Sequence, residues 1–336
     1  MAHVKPFFRI QNQSIFYYAL LIASFAISLK LFFSSNGLPI SFQKDHVGWY
    51  LNFSKEVFHP VYALKGAYFS ESMLLPVLAN SFGAARSMVA YKIFCSILTI
   101  SILPALFIFA ARFFQNLFQT ATFIFLICIS YAYLWNFTLG YPDPLTILLL
   151  FWVAFEQNSK RICLGVILAA LSHFSLALLA LLGLLALIIS STSLNRVNRF
   201  ALIKAIVIGL VLGRAILAAW YFGFDYNPSS RFSWAFEYGL ESFVKRYDEN
   251  ISGFWFTPGL RFLVVYSFVF LYFLVNKKWA ICLAALFALA LTYLGLFFTV
   301  DGYRIFAVII CAPYAWLLKE FILSLFQKIQ EYLRPT

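Results

Sequence analysis

Long apolar segments, separated by short polar connections, recur along most of this chain. About 20 consecutive apolar residues are enough to cross the hydrocarbon core of a bilayer as a helix. We therefore predict an all-α, polytopic transmembrane helix bundle of about ten spans, some of them half-length helices. The predicted segments are 15–33, 88–111, 118–135, 145–155, 162–189 as two short helices, 201–221, 261–275, 279–299 and 304–318.

Two long polar stretches, 34–87 and 222–260, interrupt this series and are predicted to be outer loops of a single membrane domain, residues 1–336. Apolar residues recur in both loops at helical spacing, with charged residues between them. This pattern predicts interfacial amphipathic helices that lie in the plane of the membrane surface. The two stripes are Val47, Tyr50, Leu51, Ser54 and Phe58 in the first loop, and Phe236, Leu240, Phe243, Val244 and Tyr247 in the second.

The segment 162–189 is long for one span and short for two, and it contains Ser172-His173 in its interior. A single crossing would place the basic turn with Arg196 and Arg199 outside. Two short helices that meet near His173 keep this turn in the cytoplasm, where short basic loops are favoured. We therefore predict two helices. Beyond them, Gly209-Leu-Val-Leu-Gly213 matches a close-packing motif and predicts contact between helices.

The composition excludes a large soluble catalytic domain, because 63% of the residues are hydrophobic and only 11% are charged. The net charge of +12 comes from basic residues that are scattered between apolar runs. Anionic membrane lipids are therefore expected as partners, and nucleic acid is not. The five cysteines lie inside apolar segments without metal-binding spacing, which is typical of small core residues.

Acidic residues are expected mostly on one side of the membrane. Lys5 and Arg9 precede the first apolar segment, which favours a retained span with a cytoplasmic N-terminus. The C-terminus then also lies in the cytoplasm, and a bacterial inner membrane is the expected location. Of the acids, Glu156, Glu320 and Glu331 fall on the cytoplasmic side in this arrangement. Ionisable chemistry is therefore expected at the outer face.

Two aspartates could have a structural or a chemical role. Asp45 follows the first span at the start of an amphipathic segment, where it could cap a helix or act as a general base. Asp143 lies between Pro142 and Pro144 at the outer mouth of a span. It could cap the helix that Pro144 opens, or it could belong to a site.

Other candidates are a histidine and several basic residues. His173 lies within an apolar segment, so its side chain needs a polar partner, either as a core residue or as part of a site. Arg304 could pair with Asp301 or bind a lipid phosphate. Lys65 and Arg86 could bind phosphate or be solvated surface residues. Because separate segments place Asp45, Asp143, His173 and the Asp301–Arg304 pair at one depth, we expect a cleft at the outer face.

These residues resemble those of the GT-C class of integral-membrane glycosyltransferases, which use polyprenyl-phosphate sugar donors. Members of this class carry an acidic catalytic residue in a long first outer loop, and Asp45 matches this placement. His46 stands where many members carry a second acid, which disfavours a metal-dependent mechanism. The similar segments are Asp45-His-Val-Gly-Trp-Tyr-Leu51, the stretch 68–78 that ends Met73-Leu-Leu-Pro-Val-Leu78, Gly140-Tyr-Pro-Asp-Pro144, and Ser172-His173.

The resemblance implies sugar transfer from a polyprenyl-phosphate-linked donor to a glycan or lipid acceptor in cell-envelope polysaccharide biosynthesis. It implies an inverting displacement with Asp45 as general base. No cofactor is expected, and a divalent metal is not indicated because His46 replaces the second acid. Arg304 would neutralise the departing phosphate, and Asp301 would orient Arg304. Substrate-binding roles would fall to His46, Lys65, Arg86, Asp143 and His173.

Two other functions stay open on the sequence. A polysaccharide polymerase or ligase of the O-antigen type also has many spans and a large outer loop, but the loop 223–259 is as acidic as it is basic. A lipid or solute transporter would place ionisable groups along a path through the membrane, often within repeated halves. No such repeat is evident in the chain.

Overall fold

The structure is a computed structural model that describes residues 13–36, 44–58, 71–134, 141–224, 241, 244, 255–297 and 302–333. Within these residues it is all helical. The helices are α1 Gln13–Asn36, α2 Lys44–Lys55, α3 Leu74–Ser81, α4 Met88–Phe114, α5 Leu117–Ser130, α6 Asp143–Phe155, α7 Ser159–Ser172, α8 Phe174–Ser190, α9 Arg196–Phe222, α10 Gly259–Val275, α11 Trp279–Phe297 and α12 Gly302–Tyr332, with a 3₁₀ turn at Ala84–Arg86.

Each predicted apolar segment coincides with a helix, and several of these helices are consistent with an integral membrane protein. By length and composition, five of the described helices can cross a membrane. The helices α5, α6, α8 and α10 are apolar but shorter. The five longer segments are Ile15–Ser34, Met88–Phe114, Arg196–Phe222, Trp279–Leu296 and Gly302–Tyr332.

The last helix extends beyond its predicted end at residue 318. α12 continues to Tyr332, and Lys319 and Glu320 are buried within it, each only 3% exposed. Charges at the end of an apolar run suggested the edge of the membrane, so the sequence pattern placed the boundary too early. α12 is instead surrounded by α5, α6, α8 and α11, so its charged residues find partners inside the bundle.

The predicted break near His173 is confirmed. α7 ends at Ser172, α8 begins at Phe174, and His173 between them has an extended backbone with φ −162° and ψ 95°. The amide of Met73 donates to the carbonyl of Leu171 at 3.0 Å, so the segment that follows the first polar stretch is attached to this break.

Contacts between helices show that α6, α8 and α12 run in the same direction. Asp143 of α6 contacts Arg304 of α12 near their first residues, and Ala154 contacts Lys319 near the last residues of α6. Glu320 also contacts Ser191, which directly follows α8. We call the end with Asp143, where the two long polar stretches join the helices, the loop end, and the opposite end the far end.

The first amphipathic helix packs against the bundle at the loop end. Tyr50 and Leu51 are buried as the predicted stripe requires, but Phe58 is 54% exposed and Phe53 is buried instead. The reason is that α2 also meets α3 and α4, which widens its buried face. The second predicted stripe lies outside the described residues apart from Val244. The cluster that receives α2 consists of Phe32, Tyr50, Leu51, Phe53, Met73, Leu75, Ala79, Ala84, Tyr91, Cys95, Tyr141, Leu145, Leu171, Leu217 and Tyr221.

The predicted close-packing motif lies between α9 and α7. A Cβ atom at Gly209 would lie 2.7 Å from Cβ of Val166, and one at Gly213 would lie 2.6 Å from Cβ of Ala170. These separations are shorter than van der Waals contact. The two glycines therefore allow the helices to approach closely and fix which face of α9 meets α7.

Candidate functional site

A buried ion pair lies at the loop end. Nη1 of Arg304 donates to Oδ2 of Asp143 at 2.6 Å, and the two side chains are 4% and 0% exposed. Asp143 is the first residue of α6, where the helix dipole favours an anion. Arg304 lies in the first turn of α12, where the dipole disfavours a cation. The carboxylate of Asp143 compensates for this unfavourable position.

The sequence did not predict this contact, and Asp143 is not the helix cap that was one alternative for it. Asp143 directs a carboxylate oxygen across the bundle to Arg304, and the residue at the cap position of α6 is Pro142. Asp301, the predicted partner of Arg304, lies outside the described residues. The sequence spacing of three residues made a local pair one of two alternatives for Arg304, and the parallel arrangement of α6 and α12 brings a further partner from 161 residues away in the chain.

Two tyrosine rings extend this pair towards α2. The guanidinium carbon of Arg304 lies 4.2 Å from the ring centroid of Tyr141, at cation–π distance. The ring of Tyr141 meets that of Tyr50 edge to face, with 6.0 Å between the centroids. Tyr50 belongs to α2, and Asp45 and His46 lie in the first turn of the same helix. The side chains of Asp45 and His46 lie outside the described residues.

Hydroxyl groups connect the beginning of α6 to the break between α7 and α8. The Oγ atoms of Thr146 and Ser172 lie 2.8 Å apart. Both hydroxyl oxygens also lie within hydrogen-bonding distance of the carbonyl of Pro142, at 3.1 Å and 3.3 Å, so one hydroxyl donates to this carbonyl and the other donates to its hydroxyl neighbour. His173 follows directly and is fully buried. The sequence motifs around Asp143 and His173, which are separate in the chain, therefore adjoin in the fold.

Glu71 is a member of this region that the sequence did not indicate. Its Oε2 accepts a hydrogen bond from the amide of Ser175 at 3.2 Å and another from the Ser175 hydroxyl. The side chain of His173, at the cap position of α8, makes no capping hydrogen bond. The first amides of a helix need hydrogen-bond acceptors. Glu71, which lies outside α8, supplies such an acceptor with its carboxylate. The missing cap residue in Ser172-His173-Phe174 is the signal that could have indicated such an acceptor.

The structure brings together three of the predicted site residues: Asp143, His173 and Arg304 lie at the loop end of the bundle core. Arg86 is exposed, at the end of the 3₁₀ turn before α4. Lys65 and Asp301 lie outside the described residues. No group of three or more His, Cys, Asp or Glu side chains that could hold a metal ion occurs in the part of the chain that the structure describes.

A second set of buried charges lies at the far end. Nζ of Lys319 donates to the carbonyl of Ala154 at 3.0 Å and lies 3.0 Å from the ring centroid of Trp316. Oε1 of Glu320 accepts from the hydroxyls of Ser191 and Ser193, both at 2.5 Å. Both residues follow the predicted last span 304–318, so the sequence did not predict that these charges are buried.

The turn between α6 and α7 holds an ion pair between the partly buried Glu156 and the exposed Arg161 at the same end. Partial burial raises the pKa of Glu156, but amide hydrogen bonds from Asn158 and Gln157 outweigh this effect, and the pKa lies below its ordinary value. Trp152 and Arg161 contribute to the same shift, with 3.8 Å between Arg161 and the carboxylate.

Comparison with protein family models, with curated proteins and with solved structures finds no match to this chain. The function is therefore inferred from the chain's own residues.

Proposed function

We propose that the protein is a membrane glycosyltransferase that transfers a sugar from a polyprenyl-phosphate donor to a glycan or lipid acceptor at the loop end. The observation that carries the proposal is the chain of contacts from the buried Asp143–Arg304 pair through Tyr141 and Tyr50 to α2. This chain fixes the helix whose first turn contains Asp45. Catalytic groups held by packed secondary structure keep the geometry that catalysis needs.

In the proposed reaction, the Asp45 carboxylate takes the proton of an acceptor hydroxyl as its oxygen attacks the anomeric carbon of the sugar. The new glycosidic bond forms on the face opposite the breaking bond to the phosphate oxygen, which inverts the configuration. The electron pair of the broken bond leaves with the lipid phosphate. A carboxylate at a partly dehydrated membrane boundary is a stronger base than one in water.

The contacts of Arg304 give it a positioning role in this proposal. Arg304 is 3% exposed, and its guanidinium is held between Asp143 and Tyr141. It therefore keeps these two residues in position on the bundle side of the site. Arg86, another predicted phosphate ligand, is exposed and is therefore accessible to a lipid phosphate. His46 is proposed to bind sugar or acceptor hydroxyls and Lys65 to bind the lipid phosphate, while the fully buried His173 lies at the helix break beside the site.

The proposal includes a topology in which the ten apolar helices cross a bacterial inner membrane, both termini are cytoplasmic, and the loop end faces outwards. A cysteine introduced at Asn198, in a background without the native cysteines, tests this orientation. Asn198 is exposed near the start of α9, at the far end. Labelling by a membrane-impermeant reagent is expected only when the cytoplasmic face is accessible, and labelling from outside would reverse the orientation.

The catalytic proposal is tested with the purified full-length protein and a set of polyprenyl-phosphate sugars, with sugar transfer as the measurement. Asp45→Asn is expected to lower the rate by about 100-fold or more, the usual contribution of a general base. Glu56→Gln is the matched control, because Glu56 is an exposed acid that directly follows α2. Full transfer activity in Asp45→Asn would exclude the mechanism.

A further inference from the structure

The exposed side of α9 carries two cations unusually close together for a membrane helix. Lys204 and Arg214 are both exposed and are ten residues apart, which corresponds to about 15 Å along a helix axis. The hydrocarbon core of a bilayer is about 30 Å thick. α9 is long and apolar enough to cross this core. If α9 crosses the membrane, at least one of the two charges therefore lies within the hydrocarbon core, where water does not solvate it fully.

The packing of α9 determines where Arg214 points. Gly213 faces Ala170 of α7 at close range, so the next residue is turned away from this interface. The neighbours of Arg214 one and two turns earlier are Val211 and Val207, which are 64% and 46% exposed. Arg214 thus lies on an exposed apolar surface, where an uncompensated charge is costly and commonly marks a functional group.

The described contacts of Arg214 place it beside the proposed site. Its guanidinium carbon lies 5.1 Å from the ring centroid of Phe174, the first residue of α8, and His173 directly precedes this residue. The ion pairs within the described residues are Arg304 with Asp143 and Arg161 with Glu156. Within the described residues Arg214 contacts the Phe174 ring and belongs to neither ion pair, so the donors of this exposed side chain are available to a ligand.

We propose that Arg214 binds the phosphate group of an anionic lipid that approaches α9 from within the membrane. A guanidinium forms two parallel hydrogen bonds to a phosphate. These bonds compensate the positive charge within the apolar segment and orient the lipid headgroup. The ring of Phe174 holds the guanidinium plane beside His173 and so directs the phosphate towards the loop end. The lipid is either the donor or a bilayer phospholipid, and only the first source rests on the proposed function.

Native mass spectrometry of the full-length protein, titrated with polyprenyl phosphate, phosphatidylglycerol or phosphatidylcholine, tests the proposal. Arg214→Gln is expected to weaken binding of an anionic lipid by about tenfold or more, the loss expected for a charge-assisted contact. Phosphatidylcholine serves as the zwitterionic reference. Lys204→Gln is the matched control, because it removes an exposed cation from the same helix and is expected to bind as the wild type does.

Loss confined to polyprenyl phosphate would support the donor as the ligand, and loss confined to phosphatidylglycerol would support a bilayer lipid independently of the proposed function. Unchanged binding of both anionic lipids to Arg214→Gln, or an equal loss in Lys204→Gln, would overturn the proposal. Thermal unfolding in detergent checks the fold of each variant. Should Arg214→Gln not fold, Arg214→Lys replaces it, with about threefold weaker binding expected because lysine lacks the bidentate geometry; wild-type binding would then refute the site.

Discussion

The loop end and the far end of the bundle both hold buried charges of α12 but satisfy them in different ways. At the loop end, Arg304 pairs with an opposite charge, the carboxylate of Asp143. At the far end, Lys319 binds a backbone carbonyl and the faces of aromatic rings, and Glu320 binds two hydroxyls. Arg304, Lys319 and Glu320 are each 3% exposed. The degree of burial is therefore the same, and the chemistry of the partners makes the difference.

The partners at the far end belong to the ends of neighbouring helices. The carbonyl of Ala154 lies in the last turn of α6, where carbonyls lack partners within the helix. Ser191 and Ser193 directly follow α8. Lys319 and Glu320 thus complete helix ends and fix the position of α12 among its neighbours. This arrangement is typical of a scaffold.

The loop end is built from residues of the polar stretches as well as from the helices. Glu71 and Tyr50 both come from the stretch between α1 and α4, and they contact α8 and Tyr141. A change in these loops therefore reaches the buried pair through direct contacts. The proposed function accordingly assigns ligand-dependent chemistry to the loop end, while the contacts at the far end hold the bundle together.

The largest expected effect comes from breaking the loop-end pair. Asp143→Asn should lower the free energy of unfolding by about 3–5 kcal/mol, because it leaves the charge of Arg304 buried without its carboxylate. Thermal unfolding in detergent measures this loss. Asp143→Asn combined with Arg304→Gln should recover part of the stability, since both charges are then absent. Equal stability of the wild type and Asp143→Asn would remove the distinction between the two ends.

A smaller effect is expected at the far end. Lys319→Met keeps the apolar stem of the side chain but loses the hydrogen bond to Ala154 and the contact with Trp316, at a cost of about 1–3 kcal/mol. The exposed Lys328 provides the control Lys328→Met, with little change expected. Sugar transfer measured on the folded fraction should stay near the wild-type rate. A selective loss of transfer would show that the far end takes part in the chemistry.

Removal of the external acceptor at α8 should have a more local effect. Glu71→Ala deprives the Ser175 amide of its carboxylate partner and should cost about 1–2 kcal/mol, the usual value of a lost cap. Hydrogen exchange is expected to increase at the first turn of α8 and to stay unchanged at its last turn. Uniform exchange along α8 would mean that Glu71 does not secure the break at His173.

The smallest effect concerns Glu156 at the far end. Its pKa is lowered in the folded protein, so the stability it contributes is present above its ordinary pKa and is lost as the pH falls through the folded-state pKa. Glu156→Gln should therefore flatten the decrease of stability in acid, by less than about 1 kcal/mol because its partner Arg161 is largely exposed. Unfolding temperatures at neutral and acidic pH measure this difference, and parallel curves for both proteins would contradict it.

The apolar pattern alone determined the helices and one break in them. Segments long enough to bury apolar residues over many turns form helices whatever surrounds them, and the length of 162–189 together with the basic turn after it predicted an interruption, which lies at His173. The glycine motif of α9 likewise predicted close packing, because it depends on local spacing. These features depend on residues that are near each other in the chain.

Only the tertiary structure decided which charges meet. The parallel packing of α6 and α12 brought Asp143 to Arg304, a contact that the sequence did not predict. It also placed Lys319 inside the bundle, although this residue lies just beyond the predicted last span 304–318. A buried charge takes the partner that the packed helices bring within hydrogen-bonding distance, and the sequence does not contain that distance.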